Sequence, residues 1–181
     1  LSVVFQDFAR YNLPAWENIG LGNLDRFEDR AAIAVAATRG GADDVVERLP
    51  DGYDTMLGRQ VRGAGHDGVD LSGGEWQKIA LSRAFMRSPE DGTTGAQLLI
   101  LDEPTAALDA RAEHALFERF HELTRGKSTL LISHRFSTVR MADTIAVLED
   151  GRITEQGSHD ALIAQGGTYA RLYAMQADRY T

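Results

Sequence analysis

Leu98-Leu99-Ile100-Leu101-Asp102-Glu103-Pro104-Thr105 is a continuous apolar run that ends in two carboxylates and a proline. Such a run reads as a strand of a parallel sheet, buried on both faces. In open α/β sheets, ligands gather at the carboxyl ends of the strands, so Asp102 and Glu103 stand where a ligand would be met. An aspartate there can hold Mg²⁺, usually through water, because Mg²⁺ keeps part of its hydration shell. The adjacent glutamate can orient or deprotonate an attacking water. Taken alone, the same residues also describe a strand followed by an acidic turn, with Pro104 as a stop.

Outward from this strand the chain alternates between two periods. Downstream, Ala110–Arg125 reads as an amphipathic helix, Thr129–Ser133 and Thr144–Leu148 as further buried strands, and Ala161–Met175 as a terminal helical segment. Glu149-Asp150-Gly151-Arg152 is a tight-turn signal leading into Ile153–Glu155. Upstream, Leu1–Phe5 is a short strand by its β-branched and aromatic content. Gln6–Pro14 is a loop, Ala15 to about Leu49 is helical, Gly52–Asp70 is a glycine-rich loop, and Gly74–Arg87 is a helix with one buried stripe. Ser88–Gln97 is polar and reads as a surface insertion. Strands alternating with helices predict an α/β fold with a mainly parallel sheet under helical cover. The helical first half forms a separate inserted lobe.

Three further clusters carry chemistry. In Leu71-Ser72-Gly73-Gly74-Glu75, two consecutive glycines let the backbone approach a ligand closely. Ser72 can cap the helix that follows and donate to a phosphate oxygen, while the helix start offers free N–H groups to an anion. An ordinary capped glycine turn fits the pentapeptide as well. His134 follows a strand, at the same kind of carboxyl end as Asp102 and Glu103, where a neutral imidazole can contact a phosphate. A lone histidine is more often structural, and His66, His114, His121 and His159 are read that way. Gln6 follows the first strand and can reach a magnesium ion or an attacking water. Asp109, in Ala106-Ala107-Leu108-Asp109, is placed to cap the helix that starts near Ala110.

Gly126-Lys127-Ser128-Thr129 imitates the end of a phosphate-binding loop, but it follows a helix and enters a strand, and His121 occupies the position of the first required glycine. No G-x-x-x-x-G-K-[ST] occurs in the 181 residues.

Bulk properties bound these readings. Hydrophobic residues make up 43% of the chain and charged residues 25%, the composition of a globular domain. A formal charge of −8 argues against a nucleic-acid partner. Cysteine is absent, which removes disulfides, thiolate catalysis and cysteine-ligated zinc. No segment approaches the ~20 apolar residues of a membrane-spanning helix, and no signal peptide is visible. The chain itself is therefore expected to be soluble. Opening inside the apolar run Leu1–Phe5 leads us to expect a fragment of a longer chain.

With these motifs in order, the sequence resembles the ATP-binding domains of ABC transporters over nearly its whole length. Gln6 matches the Q-loop, Leu71–Glu75 the family signature (with Glu75 where glutamine is more usual), Leu98–Glu103 Walker B, Ala106–Asp109 the D-loop and His134 the switch histidine. The resemblance implies a P-loop NTPase-type α/β fold whose N-terminal part, with Walker A, is missing. It implies residues 1–8 as the end of a core ATPase lobe, 9–96 as a helical subdomain carrying the signature, and 97–181 as the remaining core lobe. It implies ATP and Mg²⁺ as cofactors, with Asp102 and Gln6 at the metal and Glu103, His134 and Gln6 in catalysis. Leu71, Ser72, Gly73, Gly74, Glu75 and Asp109 would contact nucleotide across a head-to-tail dimer with a second ATP-binding domain. The loop near Phe8–Trp16 would meet coupling helices of a transmembrane domain, at the cytoplasmic face of the cell membrane. Gly52-Tyr53-Asp54-Thr55 and Ile132–Val139 are similar to the exporter branch. An importer-type subunit shares all five motifs. A module that only completes a partner's ATP site is the non-catalytic alternative for the fragment.

Overall fold

The structure is a computed structural model that describes residues 1–58, 68–87, 98–104 and 128–177. It forms two compact units, Leu1–Leu130 and Leu131–Thr181. Thr105, the Ala106–Asp109 segment, the helix expected over Ala110–Arg125, the polar stretch 88–97, and His66, His114 and His121 lie outside the described residues.

In the first unit, β1 (Ser2–Val4) pairs in parallel with β2 (Leu98–Asp102), register Val3↔Ile100. The sheet runs in the order β1-β2-β3, where β3 is Ser128–Ile132. Leu99 and Leu101 point one way and are buried, whereas Leu98 on the other face is exposed. The strand expected to be covered on both faces is thus covered fully on one. β3 departs further from expectation: Leu130 is 51% and Ile132 47% exposed. Its apolar run reads as an interior strand, but it comes last in the sheet order of the described residues.

The helical segment Ala15–Leu49 is broken into α1 (Ala15–Gly20), a 3₁₀ turn (Leu24–Arg26), α2 (Arg30–Gly40) and α3 (Asp43–Val46). Each break has a local cause. Asn23 caps the 3₁₀ turn by accepting from the Asp25 N–H, and Asp29 starts α2 by accepting from the Ala32 N–H at 3.0 Å. Gly41, with φ 74°, ends α2 in the left-handed conformation.

α4 (Gly73–Phe85) is the central rod of this unit. Trp76, Ile79, Ala80, Leu81, Ala84 and Phe85 are all buried, a band wider than one stripe. α2 crosses it so closely at Gly40 that an added Cβ would meet the Ser82 side chain and lie 2.6 Å from Ser82 Cα.

The second unit contains a short helix α5 (Phe136–Val139), the antiparallel hairpin β4 (Ile145–Glu149) and β5 (Arg152–Gly157), and helices α6 (His159–Gln165) and α7 (Thr168–Ala177). Asp150 and Gly151 both have positive φ, 48° and 74°, the condition for a two-residue turn whose twist matches the strands. β4 buries only Ile145, against the expectation of a buried strand. It is one of two strands in its own small sheet, packed by Leu162 and Tyr169 near Ile145. The terminal helical segment divides at Gly166, where φ is 68°.

Candidate functional site

At the start of α4, Ser72 has extended backbone and its Oγ accepts from the Glu75 N–H at 3.3 Å. In return, the Ser72 N–H donates to Glu75 Oε2 at 2.9 Å, which completes a capping box. The Ser72 hydroxyl also donates to that carboxylate at 2.8 Å. These bonds hold the Glu75 carboxyl below its ordinary range, first through the Ser72 N–H, with the hydroxyl and Arg48 adding to it against the cost of burial. Arg48 lies 3.1 Å from Glu75. Gly73 and Gly74 occupy the first turn, where backbone N–H groups have no intrahelical acceptor. The capped-turn reading of Leu71–Glu75 is therefore met in full, and it leaves two N–H groups for an anion.

Three segments far apart in sequence meet in one cleft of about 280 Å³. It is lined by Phe5, Gln6, Asp7, Phe8 and Arg10 after β1, by Glu103 after β2, and by Gln77 from α4. Parallel pairing of β1 with β2 causes this meeting, because both strands end on the same side of the sheet. Glu103 has φ 49°, a conformation that costs a non-glycine residue roughly 1–2 kcal/mol. Its Oε2 is buried.

The loop that carries Gln6 is held from behind. Asn18 of α1 donates to the carbonyls of Tyr11 and Leu13 at 3.0 and 2.9 Å. Arg83 of α4 donates to Ala9 O at 3.1 Å and to Asn18 O at 2.8 Å, and its guanidinium stacks 4.8 Å from the Tyr11 ring. Burial draws the Arg83 proton affinity down from its usual value, yet a guanidinium stays charged at neutral pH.

The site residues read from the sequence fall into groups. Gln6 and Glu103 share the cleft. Asp102 ends β2 just before Glu103 and does not line it. Leu71, which is buried, and Ser72–Glu75 open α4. His134 belongs to the second unit, exposed, two residues before α5. Asp109 lies outside the described residues.

Three contributors were missed in the sequence. Gln77 is only 2% exposed, and its Nε2 donates to Pro104 O, directly after Glu103. A long polar side chain within the buried, largely apolar band of α4 is the signal that marks it. Asn18 and Arg83 gave no such signal, since their partners are backbone carbonyls. His159 takes the structural role expected of it, with Nδ1 2.8 Å from the Tyr169 hydroxyl.

No protein-family profile matches the chain. Curated relatives do. Proteins described as ATP-dependent lipid A-core flippase, from Aromatoleum aromaticum and Legionella pneumophila, are each 41% identical over 176 residues. Those matches cover 97% of this chain and 27% of each relative. The cyclolysin secretion/processing ATP-binding protein CyaB of Bordetella pertussis is 40% identical over 177 residues, covering 98% of this chain and 23% of that protein. Among solved structures, a bacterial Atm1-family ABC exporter with ATP bound superposes with a TM-score of 0.82 at 36% identity, over 97% of this chain and 28% of that one. The fold is thus a portion of an α/β ABC-type domain. The chain belongs to the ABC transporter family, as a portion of such a protein. It spans about a quarter of the length of the curated relatives it matches.

Proposed function

We propose that the full-length protein containing this chain is an ABC exporter, and that the chain supplies part of its Mg²⁺-dependent ATPase. Dimerisation of two such domains, head to tail, would be coupled to export through transmembrane helices docked near Phe8–Trp16. The ATPase would then work at the cytoplasmic face of the membrane. Among the described residues, no helix is long and apolar enough to cross a membrane. The observation that carries this function is the cleft in which Gln6 and Glu103 meet.

The donor set fits Mg²⁺, which is usually bound by one or two carboxylates together with phosphate oxygens and water. Asp102 and Gln6 offer hard oxygen ligands of that kind at adjoining strand ends. When bound, Mg-ATP supplies a γ-phosphoryl group whose charge the metal partly neutralises. Glu103 accepts the proton of the attacking water. His134 contacts the γ-phosphate and orients that water. Ser72, turning its hydroxyl from Glu75 to a phosphate, and the N–H groups of Gly73 and Gly74 stabilise charge on the ATP of the opposite domain. Leu71 anchors this turn, and Asp109 faces the partner across the dimer. In lobes, residues 1–8 and 97–181 belong to the ATPase core, and 9–96 to the helical subdomain.

Glu103→Gln in the full-length protein tests this function. Steady-state ATP hydrolysis is expected to fall at least about a hundredfold, the lower end of what one general base contributes, while ATP binding persists. Unchanged turnover would sink the role of Glu103.

A further inference from the structure

α5 is a single helical turn, and its start lacks a cap of its own. Arg135 at the N-cap position makes no side-chain capping bond. The first N–H groups of a helix need acceptors from elsewhere. For Phe136 the acceptor comes from forty residues downstream, as Gln176 Oε1 accepts its N–H at 3.0 Å. The other end of the same amide, Nε2, donates to His134 O at 3.4 Å. One side chain therefore grips the backbone on both sides of Arg135. A third bond, from the Arg135 N–H to Ser133 Oγ at 3.0 Å, fixes the same stretch from its N-terminal side.

Only a primary amide carries a donor and an acceptor in this arrangement. Its own placement is firm. Gln176 sits on α7, anchored through Tyr169, which is buried against Ile145 and Leu162. Phe136 packs edge-on against Tyr169 and Tyr173 at 5.3 and 5.5 Å. At its other end α7 is capped by Glu155, whose carboxylate accepts from the Thr168 and Tyr169 N–H groups. The backbone of His134 is thus referenced to a packed helix.

We propose that Gln176 is a positioning residue for His134, and that α7 is the element that sets where the imidazole of His134 stands. The inference rests on the reading of His134 as the switch histidine. Gln176 touches the backbone of this segment and has no contact with nucleotide in this scheme. A shift of α7 by even a fraction of a bond length would move the histidine with it.

The test uses the full-length protein with Gln176→Met and Gln176→Glu, following amide hydrogen exchange and ATP turnover together. Methionine removes both bonds. We expect exchange of the Phe136 amide to rise about tenfold and kcat to fall roughly fivefold to tenfold, the range set by one lost hydrogen bond, at unchanged KM for ATP. Exchange in the β4–β5 hairpin should stay as in the parent. Glutamate keeps the acceptor for Phe136 but cannot donate to His134 O. It should preserve protection of Phe136 and still lower kcat. Unchanged protection of Phe136 in Gln176→Met, or exposed Phe136 with unchanged kcat, overturns the inference alone. A His134→Ala protein that hydrolyses ATP at the full rate overturns the reading of His134, and the inference with it.

Discussion

Glu103 closes β2 with a φ of 49°, while the side chain reaches into a cleft shared with Gln6. A residue held in a sparsely populated backbone region persists when its surroundings over-determine it, and such residues cluster at functional sites. Glycine adopts that conformation without strain, although it loses more backbone entropy on folding, which offsets part of the relief. Glu103→Gly is therefore expected to raise stability by up to about 1 kcal/mol, read as a higher urea midpoint, while abolishing turnover in the full-length protein. A lower midpoint would mean that the carboxylate stabilises the fold more than its backbone strains it. Glu75 gives a second prediction at this scale. Its folded carboxyl titrates below the ordinary glutamate value of 4.5. The stability it contributes is thus fully present above about pH 4.5 and is lost as pH falls through the folded value. Urea midpoints measured from neutral pH down to pH ~3 should decline less steeply for Glu75→Gln than for the parent. At this scale the sequence singles out candidates by type and neighbours: Gln6 after a strand, Ser72 before glycines, Glu103 beside Asp102. Asn18, Arg83 and Gln176 stayed hidden because their partners include backbone carbonyls and amides that only the fold brings near.

Among the elements, α4 joins the two halves of the proposed chemistry. Its first turn offers the N–H groups of Gly73 and Gly74, one turn on Gln77 holds Pro104, and Arg83 two turns later holds the Gln6 loop. This rod keeps its position because α2 packs on it without a side chain at Gly40. Gly40→Ala would force the two helices apart, and overpacking of that kind costs about 1–3 kcal/mol. A fall in urea midpoint of that size is expected, relieved in part by pairing it with Ser82→Gly. Helix and strand boundaries were legible where local chemistry writes them, as with the Ser72–Glu75 capping box or the Asp150-Gly151 turn. Burial was less legible. Thr129-Leu130-Leu131-Ile132 carries the pattern of an interior strand, yet its exposure depends on what lies beside it in the sheet, which periodicity does not encode.

For the molecule as a whole, the 181 residues hold a proposed magnesium aspartate, base, histidine and signature, but no glycine-lysine nest to cradle the β- and γ-phosphates. Backbone N–H groups in such a nest bind phosphate directly. Calorimetric titration of Mg-ATP into the isolated chain should accordingly yield no binding in the micromolar range. A micromolar Kd would show that the described clefts hold nucleotide by themselves. The relatives are about four times the length of the region they share with this chain.

Ser2 and Leu99 are register partners, although nearly the whole helical lobe lies between them in sequence. Contacts so distant along the chain are entropically costly to close and slow the search for the native state. On the ribosome the first strand must wait for its neighbour to be synthesised, for roughly 5–20 s at ordinary elongation rates. Through that interval the apolar edge of Val3–Phe5 stands without its partner. The helical lobe, whose contacts are mostly nearer in sequence, has time to form first, and the joining of the two strands then becomes a late step in the biogenesis of the Gln6–Glu103 cleft.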